Sequence, residues 1–245
     1  MTEATPDRQR ITIQPDPSEP VFEIYHLSHD LRGPLNSILG FTELLLEEIE
    51  GPLNDVQRED IAAINQSAQN LLRLINNTVD LSKLAASRLE LNLGEVYLDE
   101  ALTNVLASDY WAAKKGQAEV EVRLPDSLPV IWGDSSRVEA MLEELLGVAC
   151  KLRGVGKIVI TANTNPVEVG VRIYMPGVIL TASELDDLFK LMVKADPGGR
   201  SHIGPGGMEL PLVRRLAEKH GGRAWATAES AGTAFHLTLP IAETK

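Results

Sequence analysis

The chain has 245 residues, 44% hydrophobic and only 4% aromatic, which is apolar material for two modest domains with one core each. Its formal net charge of −12 and pI near 4.9 repel nucleic-acid phosphates and anionic lipid heads, which excludes nucleic acid as an expected partner. No apolar run approaches the roughly 18 residues needed to span a bilayer, and no basic segment precedes an apolar one at the N-terminus, so the expectation is a cytoplasmic protein without a membrane span.

Residues 1–19 place Pro6, Pro15 and Pro17 among polar residues without periodicity and read as a disordered lead-in. From Phe22 to Glu48, apolar residues at Ile24, Leu27, Leu31, Leu35, Ile38 and Leu45 keep the three-and-four spacing of a helix that buries one stripe. His29, two residues past Leu27, is offset from that stripe and faces a partner rather than the core. Pro34 removes the bond to the carbonyl of Asp30 and Gly33 weakens the same turn, which places a bend beside His29. A neutral imidazole is a competent nucleophile near pH 7. Asp30 beside it can take the second ring proton as the imidazole attacks phosphorus.

Gly51-Pro52-Leu53-Asn54 makes the turn into a second helix that runs to about Ala86, with Ile61, Ile64, Ala68, Leu71, Ile75 and Val79 on its stripe. Two long helices with narrow stripes cannot bury them alone, so two copies are expected to pair as a homodimer through a four-helix bundle.

After Leu93 the texture changes to alternating strands and helices. Strands are expected at Glu119–Leu124, Lys157–Ala162 and Val167–Met175, with a hairpin of Trp225–Thr227 and Phe235–Leu239. Helices are expected at 99–114, 135–152, 183–193 and 208–220. Cys150 is expected to be a buried structural residue of the second of these helices, and His220 with Gly221-Gly222 to be a helix stop. Histidine spacing suggests no metal site. The fold class is α+β, an antiparallel helical hairpin followed by an α/β-sandwich whose mixed sheet is covered on one face by helices.

The run Ser28-His29-Asp30-Leu31-Arg32-Gly33-Pro34-Leu35-Asn36 resembles the phosphoacceptor segment of two-component sensor histidine kinases, and Leu71-Leu72-Arg73-Leu74-Ile75-Asn76 and Leu81-Ser82-Lys83-Leu84 continue the likeness. Leu128-Pro129-Val130, Gly133-Asp134 and Arg137 are similar to the approach to the nucleotide helix of that family's Bergerat-type ATPase domain. The resemblance implies a dimerisation and phosphoacceptor domain over 20–90 and an ATP-binding domain over 91–245. His29 becomes the phosphoacceptor and Asp30 the general base, supported by Arg32, Pro34 and Asn36, with a regulator-docking face near Asn36 to Glu43 and the start of the second helix. Gly33 departs from the family's Thr or Asn, which puts phosphatase action in doubt.

The nucleotide positions depart further. The magnesium-binding asparagine aligns with Val148, which offers no ligand to an ion that demands oxygen. One turn earlier stands Glu144, and Lys151 closes the same motif. The aspartate that reads adenine aligns with Ile173, and its first glycine with Met175, before Gly177. Losing that hydrogen bond alone weakens binding by about tenfold to a hundredfold. The lid glycines Gly198, Gly199, Gly204, Gly206 and Gly207 lead into Glu209, a negative charge where phosphates would sit, and Pro211.

The expected function is therefore phosphotransfer through His29 to or from a response-regulator aspartate, with ATP-dependent autophosphorylation lost. The partners implied are a receiver domain and an upstream kinase or sensor. No cofactor is expected on this chain; ATP and Mg enter only if it is an active histidine kinase in which Glu144 takes a metal-binding role. A third reading, a non-catalytic module that sequesters a regulator or kinase, also stays open.

Overall fold

The computed structural model describes residues 20–49, 51–108, 111–112, 118–152, 156–190, 193–195, 201–203 and 207–242; the expected lead-in at 1–19 lies outside them. The first two helices, α1 (Pro20–Leu46) and α2 (Asp55–Ala85), form an antiparallel hairpin. Asn54 starts α2 through a capping box: its side chain accepts from the Gln57 N–H at 2.9 Å, and Gln57 accepts from the Asn54 N–H at 3.1 Å. Three side-chain pairs mark the antiparallel sense along the hairpin. Arg58 meets Glu48 at 2.5 Å, Asn65 donates to Thr42 Oγ1 at 2.7 Å, and Arg32 donates to Asn76 Oδ1 at 2.8 Å and 3.2 Å.

Burial along the hairpin differs from the expected stripes. Leu35, Ala68 and Val79 are buried, whereas Leu27, Leu31, Ile38, Leu45, Ile64 and Leu71 are exposed, and Ser28, Thr42, Asn65 and Asn77 are buried in their place. Two helices cover only the strip along which they touch. The seam here is partly polar, and the apolar residues lie on an outward face of the single chain.

The remainder is the mixed α/β unit. A five-stranded sheet has the order β2 (Val120–Arg123), β4 (Ile158–Thr164), β5 (Glu168–Pro176), β9 (Gly232–Pro240) and β8 (Arg223–Glu229), with β2 parallel to β4 and the other pairs antiparallel. Two further pairs, β1 (Gly94–Val96) with β3 (Ile131–Gly133) and β6 (Val193–Ala195) with β7 (Ser201–Ile203), were not expected from sequence. Each strand is three residues long, too short for alternation to register.

The helices α3 (Leu98–Ala107), α4 (Ser135–Leu152) and α6 (Glu209–Lys219), with the short α5 (Ala182–Leu188), complete the unit. α3 stops short of the expected 114 because Ser108 Oγ donates to the Val105 carbonyl and accepts from the Trp111 N–H, turning the chain. The expected helix at 183–193 ends at Leu188, followed by the Phe189 cap.

Val169, Val171, Ile173 and Met175 of β5 and Phe235, Leu237 and Leu239 of β9 share one buried core with α3, α4 and α6. Cys150 is half-buried against that core, less enclosed than expected. The opposite sheet face carries Arg172, paired with Glu229 at 2.6 Å and 3.0 Å, and Trp225 stacked on His236.

α6 ends in a Schellman arrangement: Gly222 N–H donates to the Ala217 carbonyl, Gly221 N–H to that of Glu218, and Gly221 takes the left-handed φ of +81°. His220 is buried at this stop. Its Nδ1 faces the Leu216 carbonyl at 2.8 Å, which assigns the proton there and leaves Nε2 to accept from the Asp134 N–H at 3.1 Å.

Candidate functional site

His29 sits on α1 with 77% of its side chain exposed, and Asp30 beside it is 79% exposed; His29 Nδ1 and Asp30 Oδ1 are 3.5 Å apart. An imidazole whose Nδ1–H is hydrogen-bonded to a carboxylate keeps its Nε2 lone pair free to act as a nucleophile. The helix continues through Pro34. Asn36 is exposed on the turn that follows, and no atom beyond its chain neighbours and its own helix backbone lies within 4 Å of where a Cβ on Gly33 would sit. Arg32 turns inward from this surface to Asn76, fastening the turn that carries His29 to α2.

The positions assigned to nucleotide lie elsewhere, on α4, β5 and the start of α6. Val148 is buried in the core, and Ile173 is 1% exposed with Ile160 and Phe235 as its neighbours on the flanking strands. Neither presents surface to a ligand, and neither carries an oxygen for a metal or an acceptor for an adenine amino group. Gly177 is an exposed turn residue whose N–H donates to the Ala231 carbonyl at 2.8 Å. Gly204, with Gly198, Gly199 and Gly206, lies outside the described residues. At these two expected positions, Val148 and Ile173, no side chain suits magnesium or adenine.

Polar residues do converge at this end of the molecule, but on one another. Glu144 is buried, accepts from Asn77 Nδ2 at 3.2 Å and lies 4.0 Å from Arg73 NH1. Burial pushes its carboxyl above the ordinary range, against the pull of Arg73 and the Asn77 hydrogen bond. Desolvation likewise lowers Arg73. Lys151 pairs with Glu209 at 2.5 Å, and Gly207 lies against the same carboxylate. Thus Glu144, Lys151 and Gly207 come together, while His29 and Asp30 stand on the separate outer surface of α1.

Sequence reasoning missed the contacts that seat the α/β unit on the hairpin. Arg137 of α4 grips Asp80 of α2 through both terminal guanidinium nitrogens, at 2.5 Å and 3.3 Å. Asn77 reaches Glu144, and Thr78 Oγ1 donates to Met208 Sδ at 3.7 Å. The available signal was a polar file, Arg73, Asn77 and Asp80, at helical spacing on α2.

Among the described residues no helix is long and apolar enough to cross a membrane, and no cluster of three or more His, Cys, Asp or Glu could hold a metal ion.

Residues 23–87 match the His Kinase A (phospho-acceptor) domain family, and residues 133–243 match the histidine kinase-, DNA gyrase B- and HSP90-like ATPase family. A sensor-like histidine kinase of Rhizobium meliloti, itself uncharacterized, is 33% identical over 218 residues, covering 87% of this chain and 41% of that protein. The histidine protein kinase DivJ of Caulobacter vibrioides is 31% identical over 222 residues, covering 88% and 36%. The chain thus spans less than half the length of these curated relatives. Among solved structures, full-length ShkA in complex with AMPPNP aligns with a TM-score of 0.68 at 26% identity, over 91% of this chain and 46% of that one.

Proposed function

This chain is a two-component histidine-kinase transmitter core, and from that premise we propose that it passes a phosphoryl group through His29 without drawing one from ATP. The observation that carries the reading is the contrast between its two ends. His29 and Asp30 are exposed and adjacent, whereas the magnesium and adenine positions, Val148 and Ile173, are sealed in the core.

The donor or acceptor is an aspartate on a response-regulator receiver domain. His29 Nε2 attacks the phosphorus of the aspartyl phosphate; an N–P bond forms as the acyl O–P bond breaks, its electron pair leaving on the regulator's carboxylate. Asp30 receives the ring proton from Nδ1. The reverse step returns the phosphoryl group to the regulator, since both carriers are high-energy. Arg32, Pro34 and Asn36 shape the acceptor turn. The exposed Leu27, Leu31, Ile64 and Leu71 supply the face on which a second copy completes a four-helix bundle.

The test is calorimetric titration with Mg-ATP paired with transfer from a phosphorylated receiver domain. The reading expects no nucleotide heat, label on the wild-type chain, and none on His29→Ala. ATP binding followed by label on His29 would restore an active kinase. A His29→Ala chain that still binds the regulator with its biological effect intact would instead support a sequestering module.

A further inference from the structure

The start of α6 carries a contact that sequence resemblance does not supply. Glu209 is the first residue of an eleven-residue helix, where N–H groups lack intrahelical partners and the helix dipole favours negative charge. Its side chain is only 15% exposed, although a glutamate at a helix start can extend freely into water. Instead it folds back. If Gly207 carried a Cβ, that atom would lie 1.8 Å from Glu209 Oε2, so the carboxylate occupies the space that the missing side chain leaves.

Lys151, from the last turn of α4, reaches across to Glu209 Oε1 at 2.5 Å. Burial alone would push the Glu209 carboxyl up; the Lys151 hydrogen bond and the N–H groups of Glu209 and Met208 override it and hold the group below the ordinary range. A carboxylate at this spot meets a cation, N–H donors and a side-chain-free glycine, the surroundings that suit a phosphate oxygen.

We propose that Glu209 is an internal anion that occupies and closes the junction of α4 and α6 to phosphate-bearing ligands. The inference rests on the reading that this nucleotide site is out of use, and it names the device that keeps it so. Gly207 has a φ of +58°, a left-handed conformation that other residues adopt only with strain, so the pocket for the carboxylate is built into the backbone as well. The contact needs no change in fold to open: removing one negative charge leaves Lys151 and the N–H groups without this anion, and a neutral side chain can swing aside for another.

The experiment is calorimetric titration of the full chain with inorganic pyrophosphate, without magnesium, at neutral pH. Wild type is expected to give no saturable heat at millimolar probe. Glu209→Gln, which keeps the shape and removes the charge, is expected to bind at least about tenfold more tightly, because a like charge at contact distance is gone. Lys151→Ala in that background should abolish the gain. Gly207→Ala provides an independent route, since its Cβ displaces the carboxylate while leaving its charge on the chain; a smaller gain is expected. No gain in either Glu209→Gln or Gly207→Ala, or wild-type binding equal to that of Glu209→Gln, would overturn the proposal. Transfer of label from ATP to His29 in the wild-type chain decides the earlier reading separately.

Discussion

The ion pair between Arg137 and Asp80 holds the α/β unit to the hairpin, and its strength can be worked from its surroundings. The side chains are 30% and 14% exposed, so water screens the pair only in part. One contact is short at 2.5 Å and the second long at 3.3 Å, which makes a lopsided bidentate grip. A hydrogen bond to a charged group contributes about 1.5–3 kcal/mol net, and the exposure of Arg137 puts this pair in the lower half of that range.

A coupling of about 2 kcal/mol is expected, or about thirtyfold in the equilibrium between seated and unseated units. The assay is a double-mutant cycle of Asp80→Ala, Arg137→Ala and the double variant by urea denaturation, with hydrogen exchange across α2 and α4 to locate the loss. At 1 M salt the coupling should shrink but persist, since a partly buried pair is screened less than an exposed one. A coupling below about 0.5 kcal/mol would refute the argument that this pair seats the two parts, because additivity within that margin is what independent sites give.

Other outcomes follow from single sites. Gly33→Ala should shift stability by less than about 1 kcal/mol, because the helix propensity it gains is opposed by crowding of the new Cβ against the ring of Pro34, and no atom from elsewhere in the fold lies within 4 Å; a larger rise in melting temperature would show that the proline does not oppose the gain. Glu144→Gln should alter the pH dependence. Burial raises the Glu144 carboxyl above its ordinary 4.5, so the group contributes most below that pH and its contribution is lost as pH rises through the raised value. The urea midpoint of the variant should therefore gain on wild type from pH 4.5 toward neutrality, and a constant difference would mean the group does not titrate there. Ile173→Asp, which puts a carboxylate at the position where one that reads adenine was expected, should cost more than about 3 kcal/mol and yield no ATP binding, because the position lies in the core. A stable variant that binds ATP would show that β5 can open toward a ligand.

The long elements were legible because their signals are long. Helical spacing over Leu27 to Leu45 and Ile61 to Val79 delimits the hairpin to within two residues or so of its ends, and Gly221-Gly222 marks the stop of α6. His29 is exposed as expected, although Leu27 and Leu31 of the stripe it was set against are exposed as well. Which apolar residues one chain buries was not, because periodicity identifies a face without saying what covers it; Leu71 and Val79 share a stripe, yet only Val79 is buried. Three-residue strands such as Gly94–Val96 carry no readable period.

The partners of Glu144 and Glu209 were invisible for another reason. Asn77 lies 67 residues from Glu144 in sequence, and Lys151 lies 58 from Glu209, so each pairing is set by how helices stack rather than by local pattern. The polar side chains could be read one by one; their mutual neutralisation could not.

Asn76 and Asn77 are successive residues of α2, one holding Arg32 a turn beyond His29 and the other holding Glu144 on α4. Neighbours on a helix point about 100° apart, so the two ties leave α2 in different directions from the same peptide unit. Turning α2 about its own axis moves both anchor points through the same angle. The turn that carries His29 and the α/β unit are in this sense geared to one shaft, and torque applied at either end of α2 reaches both.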